Sequence, residues 1–427
     1  MTGGKEGKQA EWNRRGGSGI KRIMTRCVCY VFVFLLGVIP SISWGQYDVE
    51  EKWPVWIRGL VDVRIARGGR ASSWTDQGFG VGKSRYGGTG SLVDGKRSTR
   101  FALSQLSVEL GAALPWDMSA RAQLNAETDI DVDRPLLIEA ILRKEWGAAV
   151  NGWGLQAGVM HNPFSLEHVG PAWTSLYTLT PSALNTWLWE EVHLVGLEGE
   201  WWQTTQSGLR FGMLTGAGFG PDQMARLLAP RGWVLSDYQS GINNDLPLPH
   251  RAKRDRVSVF DERDHRPAIY TRLSISDTRN RGELSLGYFD NLGDQDTLGV
   301  WSTRFGTIGA VLHPLANVDL LAQYMGGSAQ SRASKCDILL HAFYVLLSVH
   351  YRGHRLTARY DDFRTDDTDG PPSYRESGTA FTVAYLFEFG LSHRVGFEYM
   401  FLDSHRAMPV RSDPSDGGWQ LSYRFRY

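Results

Sequence analysis

From residue 56 onward the chain alternates apolar and polar side chains in segments of strand length. In "WIRGLVDVRIAR" (56–67), Ile57, Val61, Val63 and Ile65 fall on one face and Arg58, Asp62 and Arg64 on the other. That period of two belongs to a strand lying between two different environments. The next strand, 100–114, sets outward Leu106, Val108 and Leu110 against inward Gln105, Ser107 and Glu109, and three residues, "PWD", separate it from a third at 118–127. The same signature predicts strands at 136–145, 152–160, 192–202, 208–215, 267–276, 282–289, 298–312, 317–327, 339–351, 355–363, 378–388, 393–402 and 418–427.

That makes sixteen strands, joined in a regular way. "PWD", "WGAAVN", "QTTQS", "DTRNR", "HPLA", "RGH" and "FGLS" are short and fall at every second junction, while the others are mostly longer and polar, reaching about fifty residues at 216–266. An even strand number with turns short on one side and long on the other predicts an all-β fold: a transmembrane antiparallel barrel with short periplasmic turns and long extracellular loops. The chain ends in "WQLSYRFRY", in which Trp419, Leu421, Tyr423, Phe425 and Tyr427 alternate without a break with polar residues. A strand that stops on an aromatic suits a membrane interface, and here it is expected to close the barrel against the first strand.

Composition sharpens this picture. The 427 residues include 48 Gly, 16 Trp, 16 Tyr and 18 Phe, as expected where barrel strands bend and interfacial girdles form. Lys21, Arg22 and Arg26 precede the apolar run "CVCYVFVFLLGVI", and Ser43 and Gly45 suit a cut before Gln46. Residues 1–45 are therefore expected to be an N-terminal extension plus cleavable signal peptide, with Met24 as an alternative start, and 46–427 the barrel. Without those 45 residues the chain carries about five net negative charges, which argues against nucleic acid as a partner. Cys336 would then be the sole thiol, so stability is expected from backbone pairing rather than disulfides.

The stretches "RFALSQLSVELGAALPWDMSARAQLNAETD" and "GLQAGVMHNPFSLEHVGP", with the aromatic C-terminal strand, resemble the outer-membrane porins of the phosphate-selective porin O/P-like group. The resemblance implies a trimeric pore narrowed by its third long loop. It also implies that the last strand is recognised by the barrel-insertion machinery. Outer-membrane lipid and lipopolysaccharide are the other expected partners; the basic "HRAKRDR" at 250–256 either meets lipopolysaccharide phosphates or simply lies in solvent.

Residues 161–191 form that third loop. With Phe164, Trp173, Leu176, Tyr177, Leu184, Trp187 and Trp189 it is too apolar to lie in water, and with Glu167, His168, Glu190 and Glu191 it carries no Lys or Arg. Phe164, Glu167, His168, Trp173, Tyr177, Glu190 and Glu191 are the candidates for a constriction. A phosphate-selective pore wants convergent cations there. On the strands, Arg58, Arg64, Arg121, Arg143, Arg210, Arg272, Arg359, Arg424 and Arg426 fall on the polar face, nearly balanced by acidic residues including Glu109 and Glu127. A mixed-charge lining of this kind suits passive diffusion of small polar or ionic solutes.

Sharper chemistry is weakly signalled. His161, Glu167 and His168 match no strong metal-ligand spacing. "TDDTDGPPSYRE" approaches a calcium loop but has Thr365 where the first Asp belongs, and "ETDIDVD" (127–133) is merely acidic. Ser348 and His350 lie two apart on one strand with no Gly-x-Ser-x-Gly elbow, so neither an enzyme nor a cofactor is expected. The competing reading is a structural or adhesive barrel plugged by its loops, for which the long 216–266 connector is the best support.

Overall fold

The computed structural model describes residues 54–67, 99–126, 135–247, 256–333, 335–368, 374–406 and 415–427. The expected signal peptide, Glu127 with the rest of "ETDIDVD", most of "HRAKRDR", and Asp369 and Gly370 of the calcium-like stretch lie outside these residues.

Sixteen strands close into one barrel in which every neighbour is antiparallel. The first half comprises β1 (Val55–Arg67), β2 (Thr99–Leu114), β3 (Met118–Ala126), β4 (Leu136–Gly147), β5 (Asn151–His161), β6 (His193–Thr204) and β7 (Leu209–Phe219). In the connector that follows, β8 (Asp245–Pro247) and β9 (Arg256–Ser258) pair only with each other. The wall resumes with β10 (Ala268–Asp277), β11 (Gly282–Asp290), β12 (Ser302–Leu315), β13 (Val318–Ser331) and β14 (Cys336–Tyr351). It is completed by β15 (His354–Asp367), β16 (Glu376–Phe389), β17 (His393–Arg406) and β18 (Ser415–Arg426). Most bounds agree with the sequence pattern to within a few residues. The strand expected from 298 begins only at Ser302, because Val300 and Trp301 turn inward and Trp301 N–H donates to the Asp222 carbonyl.

The seam pairs β1 with β18, setting Asp62 opposite Arg424 and Arg64 opposite Ser422. Gly59 and the terminal Tyr427 exchange both backbone hydrogen bonds at 3.0 Å. A Cβ on Gly59 would stand 1.8 Å from the Tyr427 ring, so the last aromatic is seated on the one residue without a side chain. At this short-turn rim, rings run from His354 through Phe387, Phe389, His393 and Phe425 to Tyr427 with centroids 4.5–6.4 Å apart. That is the interfacial girdle the aromatic content predicted.

Outside, the wall exposes a belt of Leu284, Leu286, Ile308, Leu347, Leu356, Phe381 and Phe397 among others, an apolar surface of the kind that faces lipid. Among the described residues no helix is long and apolar enough to cross a membrane; the chain crosses with strands. Among the described strands the register shifts three times, once beside the β12–β13 turn and twice as bulges within the wall. One is at Ser104, skipped where Asp62 pairs with Gln105 and Val63 with Leu103, and the other at Ile138 between Glu139 and Leu137. Each turns two successive side chains inward, Ser104 with Gln105 and Ile138 with Glu139, all buried.

Candidate functional site: the inner face of the barrel and the connectors docked on it

The connector between β5 and β6 crosses the barrel interior. On one side the Ala172 carbonyl accepts from Gln105 and Gln123 of β2 and β3 (3.2 and 3.4 Å). Toward the opposite wall the Phe164 carbonyl accepts from Gln323 of β13 (2.8 Å). Between them Glu167 is fully buried against Arg359 of β15 (3.0 Å), and its other oxygen accepts from Ser182 N–H and Asn185 Nδ2 (2.8 and 2.7 Å). Arg359 also holds Asp361 (2.8 Å) and donates to the carbonyls of Thr180 and Pro181 (2.7 and 3.0 Å). Glu398 of β17 accepts from the N–H groups of Leu179 and Thr180 (2.7 and 3.2 Å). The Ser182 side chain caps the helix Ala183–Glu191 by accepting from Asn185 N–H. Buried charges of this kind are tolerated only when each polar atom has a partner, which is what this arrangement supplies.

Glycines on the wall leave room for the connector. A Cβ at Gly287 would stand 2.5 Å from the Phe164 ring, at Gly309 2.8 Å from Leu166, and at Gly396 2.8 Å from Leu179. Phe164 packs edge-on against Phe305 and Tyr270. Trp173 donates to Glu139 (3.0 Å) beneath the Arg121 guanidinium. Tyr177 lies under Arg355, and burial pushes its hydroxyl up to about 12. His168 bonds Ser165 (2.7 Å) beside Trp189, and burial holds its imidazole well below the usual histidine range. Glu190 meets Arg231 at 2.7 Å and Glu191 stands 4.0 Å from it. Burial raises both carboxyls to about 7 against the opposing pull of Arg231.

The wall arginines are placed among partners. Arg64 and Arg424 share Asp62 (3.1 and 2.7 Å), and Arg64 also meets Asp237 (2.6 Å). Arg121 pairs with Glu139 (2.8 Å), and Arg143 with Glu145 and Glu200 (2.7 and 2.6 Å). Arg272 pairs with Glu283, and Arg426 with Glu388 at the short-turn rim (3.8 Å). Arg58 and Arg210 lie over the rings of Trp56 and Trp202, and Glu109 accepts from Ala172 N–H (3.1 Å). These side chains are matched to carboxylates or rings on their own strand, nearby strands or the connectors, rather than forming a continuous cationic track. Those toward the short-turn end, Arg143, Glu200, Arg272 and Glu283, keep a fifth to a third of their surface in solvent.

A second connector, after β7, also lies inside. Met224, Leu228, Trp233 and Leu235 are almost completely buried. Trp233 donates to Thr365 of β15 (3.0 Å), while Asp237 accepts from Ser104 (3.0 Å) and Gln239 from Asn125 (2.7 Å) on the opposite wall. The run "WVLSDY" (233–238) was the available signal, in a connector read above for its length and charge. It explains why the inner face of β14 is apolar: Cys336, Ile338, Leu340 and Ala342 belong to the same buried cluster as Trp187, Leu228 and Trp233.

The weaker sequence candidates are not assembled. Glu167 is bound to Arg359, and His161 stacks instead on Trp189 and His193 (centroids 3.7 and 4.5 Å). Ser348 Oγ accepts from Arg355 and Thr357 (2.7 and 2.9 Å), while both ring nitrogens of His350 are without a hydrogen-bond partner. Glu376 accepts from Ser404 and Trp233 N–H rather than facing a cation loop. Among the described residues, Asp222, Glu262 and Asp264 alone bring three metal-ligating side chains together, their oxygens within 4.8 Å. Burial, and the nearby Asp264 and Glu262, push Asp222 up to about 6. Nothing in the spacing of these three marks them in the sequence.

No protein-family model and no curated protein matches the chain. Solved structures do. The anion-selective porin from Comamonas acidovorans aligns at TM-score 0.53 and 12% identity, over 87% of this chain and 99% of its own. The outer membrane channel DcaP of Acinetobacter baumannii aligns at 0.52 and 9%, over 87% and 97%. The outer-membrane expressed OmpT of Vibrio cholerae aligns at 0.50 and 10%, over 87% and 97%. At such identities the likeness establishes the fold. With its closed sixteen-stranded wall and lipid-facing belt, the chain is an outer-membrane β-barrel of porin-like architecture.

Proposed function

We propose that the protein is a passive diffusion channel for small polar or ionic solutes, exported by cleavage before Gln46 and narrowed by the 162–192 connector. The observation that carries this reading is the mixed-charge inner wall at the short-turn end. Arg143, Glu200, Arg272 and Glu283 remain partly solvated there rather than packed, as a water-filled vestibule requires. The anion-selective and channel neighbours agree with it, and a trimer form among the OmpT structures supports a homotrimer. Phosphate selectivity, suggested by the sequence resemblance, is weakened by a constricting segment without Lys or Arg and by wall arginines already paired to carboxylates. Lipopolysaccharide and the insertion machinery remain the partners we assign to the outer surface and the last strand.

Single-channel recording in a planar bilayer across a KCl gradient tests this directly. Discrete ohmic steps are expected, with a small reversal potential set by the balanced lining. A barrel that inserts and stays silent overturns the channel in favour of a plugged structural barrel. That second reading has its own observation: the connector after β7 seals an apolar cluster around Trp187, Trp233 and Phe305 across the interior.

A further inference from the structure

Arg394 of β17 was not singled out in the sequence, yet it is the inner-wall cation whose environment is hardest to account for. It is 3% exposed, and its Nη1 donates to the Ser175 carbonyl at 3.3 Å. Nε and Nη2, the two parallel donors on the other edge of the fork, have no partner. Nearby carboxylates are already committed. Both oxygens of Asp62 are taken by Arg64 and Arg424. Glu398 accepts from Leu179 N–H, Thr180 N–H and Gln420. Glu388, opposite Arg394 on β16, is half exposed and stands 3.8 Å from Arg426, and it makes no hydrogen bond to Nε or Nη2. The cross-strand neighbour of Arg394 on β18 is itself a cation, Arg424.

A guanidinium enclosed in this way, next to another, is strongly unfavourable unless an anion or its equivalent completes it. Guanidinium forks bind anions through two parallel N–H groups. We propose that Arg394 holds a small monovalent inorganic anion of halide size on its Nε/Nη2 edge. The ion would be enclosed between the wall at β17 and β18 and the Thr174–Ser175 backbone of the docked connector. It would bind that connector to the wall as a counterion, so the site is a fixed one rather than a step in permeation. The enclosure argues for an ion of this size over a phosphate or an organic carboxylate. The inference goes beyond the channel reading and does not require conduction.

Its test is crystallographic. Crystals of the refolded full barrel are soaked in sodium bromide, and anomalous difference density is measured at the bromine edge. A peak within hydrogen-bond reach of both Nε and Nη2 is expected. Water alone at that position, or density only on exposed arginines such as Arg266, overturns the proposal in the wild-type protein, whatever any variant does. Arg394→Gln in the same crystals should lose the peak completely while Arg64 and Arg424 stay on Asp62. A peak retained by this variant would assign the ion to Arg424 and equally refute the site.

Discussion

The two connectors that lie inside the barrel are secured by different physics. The 162–182 stretch is tied to the wall by charge: Glu167 on Arg359, Leu179 and Thr180 on Glu398, Thr174 on Arg424 (2.7 Å). The 220–238 stretch is held mainly by apolar burial, with Leu228 and Trp233 at the centre, supplemented by the Asp237–Arg64 ion pair and by hydrogen bonds with Ser104, Thr365 and Glu376 of the wall. A charged clamp is directional and fixes one position. Apolar packing is strong but tolerates sliding. On this contrast the first connector is expected to stay in place under perturbations that release the second.

The largest expected effect comes from cutting the charged clamp. Arg359→Met would leave Glu167 and Asp361 buried without their cation, a loss of about 3–5 kcal/mol for a broken buried pair. Limited proteolysis of the folded barrel in detergent should then cleave within 162–182, where the wild type is expected to stay intact. An uncleaved variant would mean that packing, not charge, fixes this stretch.

Trp233→Ala attacks the other side of the comparison. Removing a buried indole from a packed cluster costs about 3–5 kcal/mol, here reduced wherever Leu228 and Met224 can close the gap. Cleavage should appear in 220–238 and leave 162–182 intact, and bilayer conductance should rise. Unchanged conductance would show that the second connector does not obstruct the path. A smaller perturbation is Gly396→Leu. Its Cβ would stand 2.8 Å from Leu179 and 2.9 Å from Leu386, and overpacking of this kind costs about 1–3 kcal/mol. Leu179 should shift off the wall while the Glu167–Arg359 pair survives, which hydrogen exchange of the Leu179 and Thr180 amides would register as faster exchange.

Much of this was legible in the sequence because a membrane wall enforces the dyad. Ile308, Leu347 and Phe381 must face lipid, so their strands announce themselves. The signal fades where the inner face is apolar too. In β14, Ile338 and Leu340 face the packed connectors, so alternation there locates the strand but misstates its inner environment. Bulges at Ser104 and Ile138 left no mark, since an extra residue in a run of mixed character does not disturb the local pattern. Arg394 was indistinguishable from Arg64 or Arg424 by period alone. Its difference lies in which carboxylates reach it across the barrel, a matter of tertiary placement.

The two connectors should also respond differently to pH. Glu190 and Glu191 end the helix Ala183–Glu191, where the helix dipole already disfavours negative charge, and both face the single cation Arg231 of the second connector. Around them stand the Ala225 and Leu227 backbone N–H groups, and Ser240 bonded to the Glu190 carbonyl and to His193. Burial, offset by Arg231, raises both carboxyls from the ordinary 4.5 to about 7. The docked state therefore holds more protons than an undocked one between these values. Docking is fullest below about pH 4.5, weakens as pH rises through 7 and is flat above. One such carboxyl changes docking by about 1.4 kcal/mol between pH 6 and pH 8. Protease cleavage of the 220–238 stretch should accordingly be several-fold faster at pH 8 than at pH 6, with 162–182 unaffected. Glu190→Gln combined with Glu191→Gln should flatten that dependence. If both stretches loosened together, the two connectors would be one cooperative plug, and the distinction between a charged rim and a releasable apolar insert would have to be abandoned.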